Sequence, residues 1–184
     1  MLQPQDITNF LIKNYITEGD TAIDATAGNG NDTLKLCKKV GKTGKVFAFD
    51  IQDKAIEETK KLVFENGFTN AQIIKDSHEF MDNYVHEKVR AVIFNLGYLP
   101  GGDHKLQTKG ETTIEAIKKA LDLICDDGFI AIMIYHGKNS GTEEKLMLTD
   151  FLKTIDHKKY TVTLHDFFNR PNNPPITAVI TKAG

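Results

Sequence analysis

Helix-like and strand-like segments alternate along most of this 184-residue chain. Apolar, β-prone runs predict strands at 21–26, 45–50, 71–75, 89–94 and 128–135. Helical spacing of apolar residues predicts helices at 4–15, 31–40, 53–66, 77–84, 111–125 and 142–155. Alternation of this kind favours parallel strands joined by helices that cover both faces of one sheet.

The C-terminal part of the chain breaks this alternation. Strands are predicted at 160–168 and 176–182, with no helix between them. Because a short connection cannot join parallel strands, these two strands must pair antiparallel. We therefore expect an α/β fold in a single domain over 1–184: a doubly wound, mostly parallel, seven-stranded Rossmann-like sheet with a C-terminal antiparallel hairpin.

Composition and charge exclude several classes of protein. With 40% hydrophobic and 26% charged residues, the chain can bury a core and stay soluble. No apolar run is long enough to cross a membrane, and the segment from Met1 to Asp6 does not resemble a signal peptide, so a cytoplasmic location is expected. The net charge of −2 argues against coating nucleic acid by bulk electrostatics. An RNA substrate would need a local patch and a pocket.

The cysteines and histidines show no metal-binding pattern. Cys37 and Cys125 lie in predicted helices and are interpreted as buried thiols. The chain has no CxxC pair, and its six histidines lack the spacing of zinc ligands. No metal is therefore expected.

A glycine turn follows the first predicted strand, in the sequence Asp24-Ala-Thr-Ala-Gly28-Asn-Gly30-Asn-Asp32-Thr33. Ligands of open α/β sheets bind at the carboxyl ends of the strands, where the strand order reverses. We expect Gly28 and Gly30 to let the backbone approach a ligand that a Cβ atom would block. Asp24 can accept hydrogen bonds from a cationic amino group. A tight structural turn is the alternative explanation of the two glycines.

Two further acidic segments arrive at the same edge of the predicted sheet. Asp50 ends the second strand, 20 residues after Gly30, where an acidic residue can hold two ribose hydroxyls. Gln52 can share the ribose or the adenine. Asp76-Ser77-His78 follows the third strand and is expected to lie over an adenine ring. For His78 the alternative is an exposed polar residue at a helix start.

The charges in these segments discriminate between two adenosine cofactors. NAD needs the third glycine of GxGxxG and a helix N-terminus open to pyrophosphate, but here Thr33 takes the third position. Asp24 and Asp32 add negative charge that repels pyrophosphate and suits the sulfonium and ammonium groups of S-adenosylmethionine (SAM). SAM is therefore the expected cofactor, and the fold is expected to be that of a class I SAM-dependent methyltransferase. The predicted cofactor-binding residues are Asp24, Ala27, Gly28, Asn29, Gly30, Asn31, Asp32, Thr33, Asp50, Ile51, Gln52, Asp76, Ser77 and His78.

The substrate side is predicted after the fourth strand, in Asn95-Leu-Gly97-Tyr98-Leu-Pro-Gly-Gly-Asp103. Amino-group methyltransferases often carry an Asp/Asn-Pro-Pro-aromatic motif there, and this stretch shares its polar head and aromatic fourth residue. The Asn95 amide oxygen can accept an N–H bond and direct the nitrogen lone pair at the methyl carbon. Tyr98 can stack on a flat substrate or meet positive charge. A merely flexible glycine-rich loop is the alternative.

Two more segments are expected near the substrate. Tyr135 ends the fifth strand on the same rim, and the tip between the last two strands carries Arg170 and Asn172. Asparagine offers base-edge contacts and arginine offers phosphate or base contacts. A surface ion pair is the alternative for Arg170.

The blocks 24–33, 49–52, 76–79, 95–103 and 169–175, taken in order, resemble the small bacterial MnmM/YtqB-like family, formerly labelled rRNA methylases. The resemblance implies a tRNA-modifying enzyme that methylates the 5-aminomethyl group of wobble 5-aminomethyl-2-thiouridine and gives 5-methylaminomethyl-2-thiouridine. It also implies that five residues face the wobble nucleotide: Asn95, Gly97, Tyr98, Tyr135 and Arg170. We therefore predict that the catalytic residues are Asn95, Gly97 and Tyr98, and that the substrate-binding residues are Tyr98, Tyr135, Arg170 and Asn172. The tRNA anticodon loop is the implied partner. The stretch 135–141 departs from the family at the His and Pro positions.

Other functions stay open on the sequence alone. They are methylation of rRNA or of a small amine or phenol, an NAD-linked oxidoreductase, and a SAM-binding protein without catalysis. The sequence also leaves open a homodimer. No residue is identified as a general base, and neither cysteine lies near the predicted methyl site, so no covalent enzyme intermediate is expected.

Overall fold

The computed structural model describes residues 2–97, 108–136 and 142–183. Its strands are β1 (Thr21–Asp24), β2 (Lys45–Asp50), β3 (Ala71–Lys75), β4 (Val89–Asn95), β5 (Ile124–Ile134), β6 (Tyr160–His165) and β7 (Ile176–Lys182). Its helices are α1 (Gln5–Tyr15), α2 (Asn31–Val40), α3 (Asp53–Glu65), α4 (Gly110–Leu123) and α5 (Thr142–Thr154), with a 3₁₀ helix at His78–Asn83. Every predicted element is present, most within two residues of its predicted ends.

The strands form one sheet in the order β3-β2-β1-β4-β5-β7-β6. Neighbours from β3 to β5 are parallel, and β7 pairs antiparallel with both β5 and β6. The strand order reverses between β1 and β4, so the carboxyl ends of these two strands form the crevice where ligands bind. The prediction of a doubly wound sheet with an antiparallel C-terminal hairpin is confirmed.

Each face of the sheet carries its own apolar core. Along β4, Ala91 and Ile93 pack on one face with α1, α2 and α3, whereas Val92 and Phe94 pack on the other face with α4, α5 and the 3₁₀ helix. This strand is apolar on both sides because a central parallel strand is covered by helices on both faces. The two cores hold the strand ends rigidly at the crevice.

The start of β5 corrects one prediction. The chain passes from α4 directly into β5 at Ile124, so Cys125 lies in a strand and not in a helix. Cys125 is only half-buried and its thiol contacts Asp127 Oδ1 at 3.5 Å, because the register shifts after Ile124 and lifts this stretch away from the core. Cys37 is fully buried, as predicted, and burial raises its pKa to about 12.

Candidate cofactor and substrate site

A cavity of about 760 Å³ lies at the carboxyl ends of the parallel strands. Its size is within the usual range for sites that enclose a small molecule. The predicted residues that line it are Ala27, Gly28, Asn29, Asn31, Asp32, Asp50, Ile51, Gln52, Asp76, Ser77, His78, Asn95, Gly97 and Tyr135. The cavity lining does not include Asp24, Gly30, Thr33, Arg170 or Asn172. Tyr98 lies outside the described residues.

Asp24 lies behind the glycine turn and does not line the cavity, contrary to its predicted direct contact with the cofactor. The carboxylate is 1% exposed; Oδ2 accepts a hydrogen bond from the Thr33 hydroxyl at 2.6 Å, and Oδ1 accepts one from the Thr26 N–H at 3.2 Å. Burial and the nearby Asp32 raise the pKa of Asp24 to about 7. Asp24 and Thr33 therefore brace the turn from inside.

The two glycines of the turn have different roles. Gly28 lines the cavity with φ of 54°, a conformation that glycine adopts without strain. Gly30 has φ of 79°, and a Cβ atom there would lie 2.9 Å from Thr59 Cα on α3. The Thr59 hydroxyl also donates to the Gly28 carbonyl at 3.1 Å. The prediction that Gly30 makes room for a ligand is therefore wrong, because its open side faces α3 and allows close helix packing.

Asp50 at the end of β2 is held by the backbone around it. Its Oδ2 accepts from the Gly28 N–H at 3.0 Å, and its Oδ1 accepts from the Gln52 N–H at 2.9 Å. Asp50 lines the cavity, and each of its carboxylate oxygens can accept one more hydrogen bond. A carboxylate fixed in this way can accept two hydroxyl groups of a ribose, as the spacing predicts.

Asp76 is fixed in a similar manner after β3. Its Oδ1 accepts from the Ser77 N–H at 2.8 Å, and its Oδ2 accepts from the Tyr84 hydroxyl at 2.7 Å. The hydrogen bond to Asp76 raises the pKa of Tyr84. Asp76 and Ser77 both line the cavity, so the end of β3 forms a polar wall of the cavity.

His78 is buried, with 8% of its surface exposed, so the alternative of an exposed polar residue is wrong. Its Nδ1 hydrogen-bonds the Ala25 carbonyl at 3.1 Å, and its ring meets Phe94 edge-on at 5.7 Å. Burial lowers its pKa, so the imidazole is neutral near pH 7. Because Nδ1 donates to the carbonyl, Nε2 is an acceptor, and within the described residues it has no partner.

The substrate end of the cavity begins where β4 ends. The Asn95 N–H donates to the Thr26 hydroxyl at 2.7 Å, which ties β4 to the turn after β1. Gly97 and Thr108 then pair twice: the Gly97 N–H donates to the Thr108 hydroxyl at 3.0 Å, and the Thr108 N–H donates to the Gly97 carbonyl at 3.2 Å. This pairing joins the end of β4 to Thr108, which lies two residues before α4. Tyr135 stands across from Gly97 and is 44% exposed.

Two titratable side chains at this end were missed by sequence reasoning. His136 follows β5 and Glu144 lies in the first turn of α5, and both line the cavity. His136 Nε2 and Glu144 Oε1 are buried and have no hydrogen-bond partner in the described part of the chain. Desolvation lowers the pKa of His136 and raises the pKa of Glu144. A helix that starts just beyond a strand's carboxyl end was the signal available for Glu144.

The tip between β6 and β7 does not bring its predicted residues to the cavity. The Arg170 guanidinium donates to the Leu2 carbonyl at 2.5 Å and lies over the Phe167 ring at 4.0 Å. Arg170 does not line the cavity and forms no ion pair with any described residue. Asn172 is exposed, with φ of 68°. Asn173, its neighbour, lines the cavity instead.

The charges of the cavity fit SAM better than NAD. Asp32, Asp50 and Asp76 all line it, and of these Asp32 pairs with Lys35 at 2.7 Å. An acidic lining disfavours pyrophosphate and attracts a cationic amino acid group and a sulfonium. Among the described residues, no cluster of three or more His, Cys, Asp or Glu side chains is arranged to hold a metal ion. None of the described helices combines the length and apolar character that crossing a membrane requires.

Comparison with known proteins also supports SAM as the cofactor. The family model described as "Putative rRNA methylase" matches residues 46–181. A crystal structure from Clostridium thermocellum, described as a putative rRNA-methylase, superposes with a TM-score of 0.97 at 46% identity and covers 100% of this chain and 99% of its own. A methyltransferase structure from Streptococcus mutans in complex with SAH has a TM-score of 0.91 at 36% identity, again over 100% and 99% of the two chains.

A curated relative from Arabidopsis thaliana is a chloroplastic tRNA (mnm(5)s(2)U34)-methyltransferase, 36% identical over 92% of this chain. The chain spans 66% of the length of that relative. These comparisons confirm the predicted methyltransferase class and its cofactor, SAM. The chain belongs to the rRNA_methylase family, and it has the fold and the cofactor site of a SAM-dependent methyltransferase.

Proposed function

We propose that this chain is a tRNA-modifying N-methyltransferase that acts on the 5-aminomethyl group of wobble 5-aminomethyl-2-thiouridine. The product is 5-methylaminomethyl-2-thiouridine. The name of the plant relative specifies methyl transfer at this nucleotide, and that relative matches 92% of the chain. The predicted resemblance to the MnmM/YtqB-like family points to the same reaction.

The observation that carries the proposal is the continuity of the cavity. One cavity is lined by the Asp50 carboxylate, the predicted ribose ligand, and also by Asn95, Tyr135 and Glu144 at the predicted substrate end. A cofactor and a second molecule can therefore meet inside it. Glu144, the one acidic side chain among the described residues that line the far end, favours a cationic substrate group, which an aminomethyl substituent provides at neutral pH.

Residues of the first half would hold the cofactor. Asp50 would accept the two ribose hydroxyls, the turn through Gly28 would lie along the amino acid part, and Asp76 and His78 would line the adenine side. When bound, SAM supplies an electrophilic methyl group. The buried Asp24 would keep the turn in place through the hydrogen bonds that it accepts from Thr26 and Thr33.

Residues of the second half would hold the substrate. The Asn95 amide oxygen would accept an N–H from the substrate nitrogen and so fix the direction of its lone pair. The wobble base would be turned out of the anticodon stack and held against aromatic rings, for which Tyr135 and the predicted Tyr98 are the candidates. This arrangement needs positioning and exclusion of water, with no covalent enzyme intermediate.

The experiment that tests this function uses labelled SAM and bulk tRNA that carries unmethylated 5-aminomethyl-2-thiouridine. After reaction, the nucleosides are separated and identified by mass spectrometry. Label in 5-methylaminomethyl-2-thiouridine is the expected result. Absence of label, with SAM binding intact, would contradict the tRNA substrate and redirect the search to small amines, which the net charge of −2 also suits.

Three further expectations stay predictions: a single domain over 1–184, a cytoplasmic location and the open possibility of a homodimer. The plant relative is chloroplastic, and its name therefore gives no support to a cytoplasmic location for this chain. Gel filtration with light scattering would decide the oligomeric state.

A further inference from the structure

One carboxylate oxygen at the substrate end of the cavity has no hydrogen-bond partner within the described residues. Glu144 lies in the first turn of α5, is half-buried and lines the cavity. Its Oε1 atom is buried without a hydrogen bond in the described part of the chain. A buried carboxylate oxygen without a donor is costly, and native proteins rarely leave one. A donor that arrives with a bound molecule would remove this cost.

The carboxylate is connected to the end of β4, where the methyl group is expected. Thr108 hydrogen-bonds the Glu144 side chain, and the Thr108 hydroxyl also accepts from the Gly97 N–H at 3.0 Å. Gly97 is two residues after Asn95. A nitrogen held at Asn95 would therefore lie beside the part of the cavity that Glu144 lines.

The charged groups around Glu144 set its proton affinity. Desolvation raises its pKa, the Thr108 hydrogen bond opposes this change, and Glu111 on α4 raises the pKa further. Lys109 precedes α4 and lines the same cavity, as does His136, which is neutral near pH 7 because its pKa is lowered.

Two more charges lie near this group of residues and act on His136. Lys145 lowers the pKa of His136, whereas Asp166 and a backbone hydrogen bond with Pro174 raise it. Of the titratable groups in the cavity, Glu144 is the one that combines negative charge with an unpartnered oxygen at the substrate end.

We infer that Glu144 is a catalytic residue that binds the substrate ammonium group and takes one proton from it; this inference rests on the proposed function. An N–H bond of the ammonium breaks and an O–H bond forms on Glu144 Oε1. The electron pair of the broken bond stays on nitrogen as the lone pair that would form the new N–C bond to the methyl carbon. The bond between that carbon and the sulfonium sulfur would break, and its electron pair would leave with the neutral thioether. The neutral acid then gives its proton to solvent. Charge is conserved, since an ammonium and a carboxylate become an amine and a carboxylic acid.

The first test measures binding without cofactor. An anticodon stem-loop with 5-aminomethyl-2-thiouridine is compared with one that carries 2-thiouridine, on wild type, Glu144→Gln and the control Glu143→Gln. Glu143 is the exposed neighbour on the same helix turn, so its variant makes the same charge change outside the cavity. We expect wild type and the control to prefer the aminomethyl stem-loop by roughly tenfold, as a charge-assisted hydrogen bond predicts. Glu144→Gln should lose this preference.

The second test measures single-turnover methyl transfer against pH at saturating SAM. In wild type the rate should rise with pH through the raised pKa of Glu144, because the carboxylate form is the active one. Glu144→Gln should be slower by roughly 100-fold at pH 7, the range for general base catalysis. The difference in methyl-transfer rate between Glu144→Gln and wild type should become smaller at high pH, because the ammonium group then loses its proton to solvent without help from Glu144.

Unchanged SAM affinity and melting temperature would show that the Gln variant is folded. A wild-type-like pH profile and stem-loop preference in Glu144→Gln would overturn the inference while leaving the proposed function intact. A variant that loses SAM affinity as well would also overturn it, since the residue would then be structural. If wild type itself transfers no methyl group to tRNA, the proposed function fails, and the inference fails with it.

Discussion

The two ends of the cavity differ in how their polar groups are satisfied. At the cofactor end, the carboxylates of Asp24, Asp50 and Asp76 each accept two hydrogen bonds from this chain before any ligand binds. At the substrate end, His136 and Glu144 each have a buried atom without a partner among the described residues.

Because of this difference, we expect the two ends of the cavity to bind their ligands in different ways. A carboxylate already fixed by the backbone loses little entropy when a ribose arrives, so the cofactor end is pre-organised. An unpartnered buried group instead raises the energy of the free protein and is relieved by the molecule that supplies a donor. His78 Nε2 is the exception at the cofactor end, since it too is buried without a partner in the described part.

The largest effect is expected from Gly30→Ala, which tests whether the cofactor end depends on close packing. A Cβ atom at Gly30 would lie 2.9 Å from Thr59 Cα, and its φ of 79° is strained for alanine. We expect the free energy of unfolding to fall by roughly 3 kcal/mol, from strain and overpacking together. Urea unfolding measures it.

Gly67→Ala is the matched control for this variant. Gly67 has φ of 75°, but a Cβ atom there meets nothing within 4 Å. It should cost only the conformational strain, about 1 kcal/mol. If the free energy of unfolding falls equally in the two variants, close contact with α3 is not the reason that position 30 requires glycine.

Asp50→Ala tests the pre-organised ribose contact. The change removes the acceptor for two ribose hydroxyls and for the Gly28 and Gln52 N–H groups. We expect SAM affinity to fall roughly 100-fold by calorimetry, since hydrogen bonds to charged groups contribute about 1.5–3 kcal/mol each. Asp53→Ala, an exposed change of the same charge at the start of α3, should leave affinity within about twofold. Unchanged affinity in Asp50→Ala would remove Asp50 from the ribose role.

Asp24→Asn tests whether burial raises the pKa of the Asp24 carboxyl group and thereby makes the stability of the fold depend on pH. Because the fold raises the pKa of Asp24 from 3.8 to about 7, its stabilising contribution is complete below pH 3.8 and is lost as pH rises through about 7. In wild type this group should lower the free energy of unfolding by up to about 1.4 kcal/mol per pH unit in that window. The Asn variant should lack this slope, as urea titrations at pH 5 and 7.5 would show. Parallel pH dependence in the two proteins would contradict the raised pKa.

Asn95→Ala is expected to have the smallest effect and tests the substrate end. The backbone hydrogen bond from Asn95 to Thr26 survives the change, so the strand end should keep its position. We expect single-turnover methyl transfer to slow about tenfold, with SAM affinity nearly intact. Loss of SAM affinity without loss of turnover would show that the role of Asn95 is wrong.

The fold could be predicted because its signals are local. Apolar runs, helical spacing and glycines such as Gly41 and Gly67 at helix ends give the elements, and the missing helix before β7 gives the hairpin. Two features were not predicted, because local sequence patterns do not encode which neighbouring element a residue faces or whether a loop separates a helix from the next strand. The open side of Gly30 faces α3, and Cys125 lies in β5 because α4 runs into that strand without a loop.

The candidate site was predicted more fully at the cofactor end than at the substrate end. Asp50 and Asp76 follow strands directly, so their position follows from the sheet itself. Glu144 is linked to the end of β4 by Thr108, which contacts both Glu144 and Gly97, and sequence periodicity does not show such long-range contacts. The sequence leaves two explanations open for His78, a cofactor contact and an exposed polar residue, because its contacts with Phe94 and Ala25 are also long-range.

The most direct test of the account compares Asp50→Ala with Glu144→Gln, each assayed for SAM affinity and for single-turnover methyl transfer to tRNA at saturating SAM. Asp50→Ala should bind SAM weakly yet transfer the methyl group at near wild-type rate once the cofactor saturates. Glu144→Gln should bind SAM normally and transfer slowly at pH 7. If both variants instead lose affinity and transfer rate together, the division between a pre-organised cofactor end and a substrate end completed by the amine is contradicted.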